Sequence, residues 1–152
     1  MVLPRRTDRE DPAFLELVRA LDEELWERYP RSQQAYVAGN AIAPGASVVV
    51  AEEGGLPVGC GCFRRVGEGV VELKRMFVRR ERRGTGAAAA ILAELEAWAR
   101  ESGALAMRLE TGVKQPEALR FYEKRGYSRM PNYGDYEGNP ESVCMEKPLG
   151  PR

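Results

Sequence analysis

The sequence contains no histidine among its 152 residues. Ser-His and Cys-His catalytic arrangements are therefore excluded, and zinc is disfavoured because only carboxylates and three scattered cysteines remain as ligands. Cys60, Cys62 and Cys144 each lie in a strand-like run, and their odd number favours buried, reduced thiols. A metal or redox site at Cys60-x-Cys62 is the alternative, but no third ligand is evident. We expect no metal.

The chain also lacks an excess of either charge, with 23 basic and 23 acidic residues. This balance creates no overall field that would attract nucleic acid or an anionic membrane. No apolar run reaches the 18 or so residues of a membrane span, and the N-terminus lacks the hydrophobic core of a signal peptide. We expect a single cytoplasmic domain spanning residues 1–152, with neither nucleic acid nor a membrane as partner; a homodimer is left open.

Hydrophobic periodicity predicts helices and strands in one mixed arrangement. Asp11 and Pro12 begin a helix that runs to about Arg28 and ends at Tyr29-Pro30, before a second short helix at 32–37. Three strand-like runs joined by short turns then predict an antiparallel meander, at 46–52, 57–65 and 70–78. The other predicted elements are an edge strand at 2–7, helices at 85–102 and 116–125, a strand at 104–110 parallel to 70–78, and closing strands at 127–129 and 141–147.

A basic, glycine-containing turn lies between the strand at 70–78 and the helix at 85–102. It reads Arg79-Arg80-Glu81-Arg82-Arg83-Gly84-Thr85-Gly86-Ala87-Ala88. Glycines allow close approach of a ligand, and the first amides of a helix, with its dipole, favour an anion. The turn therefore predicts a phosphate site, although a tight connection without a ligand is the alternative. It matches neither the G-x-x-x-x-G-K-[ST] loop nor the G-x-G-x-x-G fingerprint of dinucleotide-binding proteins.

This turn resembles the acetyl-CoA signature of the GNAT family of N-acetyltransferases, [QR]-x-x-G-x-[GA], as Arg83-x-x-Gly86-x-Ala88. About forty residues later, Ala118–Tyr127 resembles a second family signature, A-x-x-x-Y-x-x-x-G-[FY]. The resemblance covers about Leu3 to Leu149. It implies an α/β (α+β) fold with a mixed, mostly antiparallel sheet of six to seven strands, a central parallel pair splayed for acetyl-CoA, and about four flanking helices.

The resemblance implies acetyl-CoA as the co-substrate and assigns residues to it. Backbone groups of the strand end would bind the pantetheine arm, and amides of the turn would hold the pyrophosphate. Gln115 stands where many relatives have an asparagine that contacts the cofactor. The cofactor-binding residues implied are Met76, Phe77, Val78, Arg83, Gly84, Thr85, Gly86, Ala87, Ala88, Gln115 and Tyr122.

Acyl transfer from a thioester to an amine needs a neutral amine and a stabilised leaving thiolate. Glu72 and Glu110 are the candidate bases, directly or through water, and either could instead be a salt-bridged strand carboxylate. By resemblance Tyr122 is the general acid, near a helix start; packing is its alternative role. An α-amine with a pKa near 8 is substantially neutral at physiological pH, whereas a lysine amine with a pKa near 10.4 is mostly charged. The lysine amine therefore depends more on a base.

The implied function is acetylation of the amine of a small molecule, amino acid derivative, peptide or protein. A non-catalytic acyl-CoA sensor or interaction module with the same fold is the alternative. Nucleic-acid binding by the arginine run is disfavoured because no aromatic platform accompanies it. The acceptor pocket would form between the first helices and a late loop, whose candidate residues are Glu24, Trp26, Tyr29, Arg75, Tyr133 and Tyr136.

Overall fold

The computed structural model describes residues 1–28 and 42–150. These residues form a seven-stranded sheet in the order β1-β2-β3-β4-β5-β7-β6. The strands are β1 (Val2–Thr7), β2 (Ser47–Glu53), β3 (Leu56–Gly67), β4 (Val70–Val78), β5 (Ala106–Gly112), β6 (Ser128–Met130) and β7 (Ser142–Pro148). The helices are α1 (Pro12–Arg28), α2 (Ala87–Glu101) and α3 (Pro116–Lys124), with 3-10 turns at Arg80–Arg82 and Gly134–Tyr136.

The predicted fold class is confirmed, because the sheet is mixed and mostly antiparallel with one parallel pair. The meander of β2, β3 and β4 is antiparallel, and β1 forms one edge of the sheet. Helix α2 begins two residues later than predicted because Gly86 has a left-handed backbone, with φ of 91°. The second short helix, predicted at 32–37, and Tyr29 lie outside the described residues.

Alternating strand residues supply two apolar cores, one on each face of the sheet. Helix α1 buries Phe14 and Leu17 against Val48 and Val50, whereas α2 buries Ile91 against the opposite face. Helix α3 packs on the same side as α2. Trp98 is only partly buried and packs against that core. Helices α1 and α3 thus lie on opposite faces of the sheet, and both reach the same end of the central strands β4 and β5.

The central parallel pair separates along its length. Strands β4 and β5 pair at three positions, Val70 with Ala106, Val71 with Met107 and Glu72 with Arg108. Beyond these pairs, β5 continues to pair with β7 as far as Gly112, while β4 pairs with β3 as far as Val78. The expected splay is therefore present, and it opens the sheet between the second halves of β4 and β5.

A β-bulge accompanies this opening in β4. The register between β3 and β4 shifts between Cys60 and Cys62, and Arg75 adopts a left-handed backbone with φ of 58°. A bulge inserts an extra residue and increases local twist, so it redirects the side chains that follow. A left-handed arginine is uncommon and carries strain, which points to a local role for this residue.

The three cysteines are free and buried. Burial raises the pKa of the Cys62 thiol to about 12, so this thiol stays protonated at neutral pH. Residues 1–28 and 42–150 contain no cluster of three or more His, Cys, Asp or Glu side chains suited to a metal ion. No helix within the same ranges is sufficiently long and apolar to span a membrane.

Close packing of α2 on β3 predicts that alanine substitution destabilises the protein at one glycine of β3 much more than at another. A Cβ at Gly59 would lie 2.8 Å from Ile91 Cδ1 and 2.8 Å from the Phe77 carbonyl oxygen. We expect Gly59→Ala to lower the free energy of unfolding by about 1–3 kcal/mol, because the backbone oxygen cannot move aside. At Gly67 the nearest atom to an added Cβ is 3.9 Å away. Gly67→Ala is the matched control in urea denaturation, and equal losses in the two variants would contradict this packing.

Candidate active site

Two cavities occupy the opening between the separated strands. The larger, of about 470 Å³, extends from the end of β4 to the basic turn and α3. The smaller, of about 120 Å³, lies between Leu73–Met76 of β4 and Leu109–Gly112 of β5. Both are lined by Leu21, Met76, Gln115, Ala118 and Tyr122. They are therefore adjacent, and these shared residues mark the boundary between them.

Most of the predicted cofactor-binding residues surround the larger cavity. Its lining includes Met76, Phe77, Val78, Arg83, Gly84, Gly86, Ala88, Gln115 and Tyr122. Thr85 and Ala87 do not contribute to this lining: the Thr85 hydroxyl donates to the Arg82 carbonyl at 2.5 Å, and Ala87 is buried in the core.

The turn leaves open space where a ligand would approach its backbone. A Cβ at Gly84 or Gly86 would meet no atom within 4 Å, and both residues have positive φ, of 80° and 91°. Backbone conformation, rather than crowding by the protein, thus favours glycine at both positions. A cavity beside unpaired first-turn amides fits a pyrophosphate group.

Arg80 and Arg83 of the turn are held by acidic residues of α1. Arg83 donates from Nε to the Val78 carbonyl at 2.8 Å and from Nη2 to Glu24 at 2.9 Å. Arg80 donates to Glu24 at 2.9 Å and to Glu27 at 3.0 Å. Although burial opposes ionisation of Glu24, the hydrogen bonds from both arginines lower the pKa of its carboxyl. Arg83 therefore braces the turn against β4 and α1.

The sequence does not predict this pairing, and Glu24 was expected in the acceptor pocket. Glu24 lines the larger cavity instead, beside the basic turn. A signal was available, because Glu16, Glu24 and Glu27 recur at spacings of eight and three residues on one face of a helix. Glu16 pairs with Arg79, which extends the same row of contacts.

Glu110 is the carboxylate of the smaller cavity. Its Oε2 accepts a hydrogen bond from Ser142 Oγ at 2.7 Å. Burial raises the pKa of the Glu110 carboxyl, and the Ser142 hydrogen bond opposes that rise. An ionised carboxylate with a raised pKa is a better proton acceptor than a solvated one. Ser142, which sequence analysis missed, reaches Glu110 because β5 pairs with β7.

Glu72 lies in a different environment. Its side chain is 1% exposed and does not line either cavity. Arg64 donates to Oε1 at 3.0 Å, and the Tyr133 hydroxyl donates to Oε2 at 2.6 Å. Burial and then the Glu72 contact raise the pKa of Tyr133, so its hydroxyl remains a donor. Glu72 is thus occupied by structural partners, and Tyr133 belongs to this network rather than to the lining of either cavity.

Lys74 connects the Glu72 network to the smaller cavity, which it lines. Its Nζ lies 3.8 Å from Glu72 and donates to the Tyr136 hydroxyl at 2.5 Å. Burial lowers the pKa of the Lys74 ammonium. Lys74 was not among the residues predicted for the site, although its alternation with Glu72 along β4 places both side chains on one face of the strand.

Tyr122 lies where the two cavities meet. It is buried, and its ring packs edge-on against Phe121 and Tyr127, at centroid distances of 5.2 and 5.6 Å. Desolvation raises the pKa of the Tyr122 phenol, which therefore stays protonated and can act as a donor. The expected position near a helix start is corrected: Pro116 begins α3, and Tyr122 lies near its other end.

The remaining residues predicted for the acceptor pocket lie in different surroundings. Arg75 lines the smaller cavity, whereas Trp26 is exposed and Tyr136 is buried beside Lys74. Tyr29 lies outside the described residues. The smaller cavity thus combines the charged side chains of Arg75, Lys74 and Glu110 in its lining.

Comparison with known proteins gives consistent matches to this arrangement. Residues 12–127 match the acetyltransferase (GNAT) family. The chain is 36% identical over 146 residues to an IAA acetyltransferase from Azospirillum brasilense, covering 93% of this chain and 95% of that protein.

Solved structures agree with these sequence matches. A Klebsiella pneumoniae protein assigned as an acyl-CoA N-acyltransferase superimposes with a TM-score of 0.83 at 31% identity, covering 99% of both chains. The PaiA N-acetyltransferase from Thermoplasma acidophilum, solved in complex with coenzyme A, has a TM-score of 0.70 at 18% identity, covering 97% of this chain and 99% of that chain.

The contact between Glu24 and Arg83 predicts that Glu24 competes with an anion for the turn. We expect Glu24→Gln to tighten binding of inorganic pyrophosphate by roughly threefold to tenfold at low salt, since one such charge contact contributes about 1 kcal/mol. Isothermal titration at two salt concentrations measures this, and salt should reduce the difference. Glu27→Gln is the control, because Glu27 is 68% exposed and touches Arg80. Equal affinities in all three proteins would contradict the competition.

Proposed function

Because the chain belongs to the acetyltransferase (GNAT) family and is therefore an acyltransferase, we propose that it transfers the acetyl group of acetyl-CoA to the amine of a small molecule. The observation that carries this proposal is the position of Tyr122. A buried, protonated phenol lies between a cavity with a glycine turn and a cavity with a half-buried carboxylate. Donor and acceptor substrates would then meet at this phenol.

Acetyl-CoA would occupy the larger cavity. The turn at Gly84 and Gly86 would hold its pyrophosphate, and the backbone of Met76–Val78 would bind its pantetheine arm beside α3. The complex of the T. acidophilum relative with coenzyme A supports this use of the fold. When bound, acetyl-CoA supplies a thioester, whose acyl carbon accepts the amine and whose sulfur leaves as a thiolate.

Glu110 is the proposed base. An amine attacks only when it is neutral, so a proton must leave it before or during acyl transfer. Glu110 lines the acceptor cavity, and its raised pKa narrows the gap to the pKa of the amine. Glu72 remains a candidate from sequence, but its contacts with Arg64 and Tyr133 favour a positioning role.

Tyr122 is the proposed general acid. Its hydroxyl would donate a hydrogen bond, and finally a proton, to the departing sulfur. An ordinary phenol near pKa 10 is already a weak acid toward a thiolate near 8.5, and burial raises the pKa of Tyr122 further. Hydrogen-bond stabilisation of the developing negative charge is therefore its main contribution. A non-catalytic acyl-CoA sensor would not require this donor beside a second, polar cavity.

Deleting the Tyr122 hydroxyl tests this role. We expect Tyr122→Phe to lower kcat by about 10²–10⁴-fold, the usual contribution of a positioned acid, with little change in coenzyme A affinity. Thiol release with an accepted amine and calorimetric titration of coenzyme A provide the two measurements. Tyr127→Phe is the matched control: its buried hydroxyl donates to Glu96 at 2.8 Å, so stability should fall but kcat should not. Unchanged turnover in Tyr122→Phe would remove the acid from the proposal.

The pKa of Glu110 predicts the acidic limb of the rate profile. A carboxylate base is active when ionised, so kcat/KM should fall as pH drops below its raised pKa. Ser142→Ala removes the hydrogen bond that favours ionisation, and we expect the limb to move to higher pH by about half a unit to one unit. Glu110→Gln should flatten the limb and slow turnover.

Ser128→Ala, at the exposed start of β6, is the control for the serine substitution. Glu72 would be identified as the base instead if the acidic limb of the rate profile were unchanged in Ser142→Ala and Glu110→Gln but flattened in Glu72→Gln.

A further inference from the structure

The guanidinium of Arg75 is buried with donors that have no acceptor. Its side chain is 4% exposed, and Asp22 accepts a hydrogen bond from Nη2. Nε and Nη1 are buried and make no hydrogen bond with any described residue. Buried polar groups without a partner are rare and costly in native proteins, and a bound ligand or water is one way in which such donors are satisfied. Arg75 also carries the left-handed backbone of the β4 bulge.

Arg75 lines the smaller cavity, so a ligand bound there is a candidate partner for its unpaired donors. The cavity measures about 120 Å³, and an engineered cavity of about 150 Å³ holds one benzene molecule. A head group of about five non-hydrogen atoms therefore fits, such as an amine and a carboxyl group on one carbon. A phosphate ester with its own carbon skeleton would be larger.

The charges around this cavity match such a head group. Arg75 and Lys74 lie on the β4 side, and Glu110 lies on the β5 side. A carboxylate would find cationic donors on one wall, while the amine would face the carboxylate on the other. Asp22 offsets part of the Arg75 charge, but its side chain is 48% exposed and accepts a hydrogen bond from Nη2 alone. Water can therefore solvate the Asp22 carboxylate if Arg75 binds a substrate carboxylate.

We propose that the acceptor substrate carries a carboxylate close to its reactive amine, as an amino acid does, and that Arg75 binds this carboxylate. This inference rests on the proposed function, because it names the substrate class of the same site. In the reaction the amine nitrogen forms an amide bond to the acetyl carbon and the carbon–sulfur bond breaks. The amine proton passes to Glu110 and then to solvent, while the thiolate takes a proton from Tyr122, which regains one from solvent. The carboxylate is unchanged, and Arg75 positions it.

Matched acceptors isolate the carboxylate. Glycine, L-alanine and L-serine are each compared with their carboxamides, with acetyl-CoA as donor and thiol release as the measurement. The amine of each carboxamide is less basic than that of its parent acid, so ionisation alone would favour the carboxamide. We expect the acids to have the higher kcat/KM by about tenfold or more, the range expected for a charge-assisted hydrogen bond. Arg75→Gln should abolish this preference by raising the KM of the acids.

A binding experiment separates this inference from the proposed function. Propionate and propionamide are titrated calorimetrically into the protein saturated with coenzyme A. We expect saturable binding of propionate, weaker in Arg75→Lys, absent in Arg75→Gln and unchanged in Arg19→Gln, whose arginine is exposed on α1. Propionate binding without acetylation of any amine would support the carboxylate site and contradict the proposed function.

Several outcomes would overturn the assignment of Arg75. One is wild-type protein that uses carboxamides as well as acids, or that binds propionate no better than propionamide. Another is a preference for acids that survives in folded Arg75→Gln. If Arg75→Gln does not fold, Arg75→Lys and the two wild-type comparisons decide: acid preference and propionate binding, both weakened in Arg75→Lys, support the inference, and their absence refutes it.

Discussion

The separation of β4 from β5 is the constraint on which the rest of this structure depends. Two parallel strands that diverge after Glu72 and Arg108 leave backbone N–H and C=O groups without a neighbouring strand. Such groups are costly when buried unless something else pairs with them. Helices α1 and α3 close over the opening from opposite faces, and the space that remains forms both cavities. The candidate site is thus a gap in the hydrogen bonding of the sheet, and only a few of the side chains that line it are candidate acids or bases.

Helix α1 holds the two cavities in one electrostatic arrangement. Two of its residues, Asp22 and Glu24, form ion pairs with arginines that line different cavities. Because the helix is also fixed by Phe14 and Leu17 in the core, its carboxylates cannot follow the arginines far. The net charge of zero therefore conceals a local pattern in which a basic turn is balanced by an acidic helix face. Anions that approach either cavity meet arginines whose orientation is already fixed.

The sequence predicted much of the fold but only part of the site, and particular residues explain the difference. Helix periodicity, turn glycines and the two family signatures depend on local spacing, so α1, the basic turn and Tyr122 could be found. The surroundings of Glu72 could not be predicted from local spacing. Arg64 lies opposite Glu72 because of the register between β3 and β4, and a bulge shifts that register. Likewise, a left-handed backbone at Arg75 has no sequence signal, since bulky residues rarely adopt it.

The edges of the sheet have a consequence for how this protein meets other chains. Strand β1 carries Pro4, which cannot donate to a ladder, and Arg5 and Arg6, which are tied to acidic side chains. At the other edge, β6 extends over only three residues. Short, charged or proline-containing edges resist aggregation by edge-to-edge pairing. The described sheet therefore resists the addition of a strand at its two edges, whereas an unpaired stretch lies in its interior, between β4 and β5.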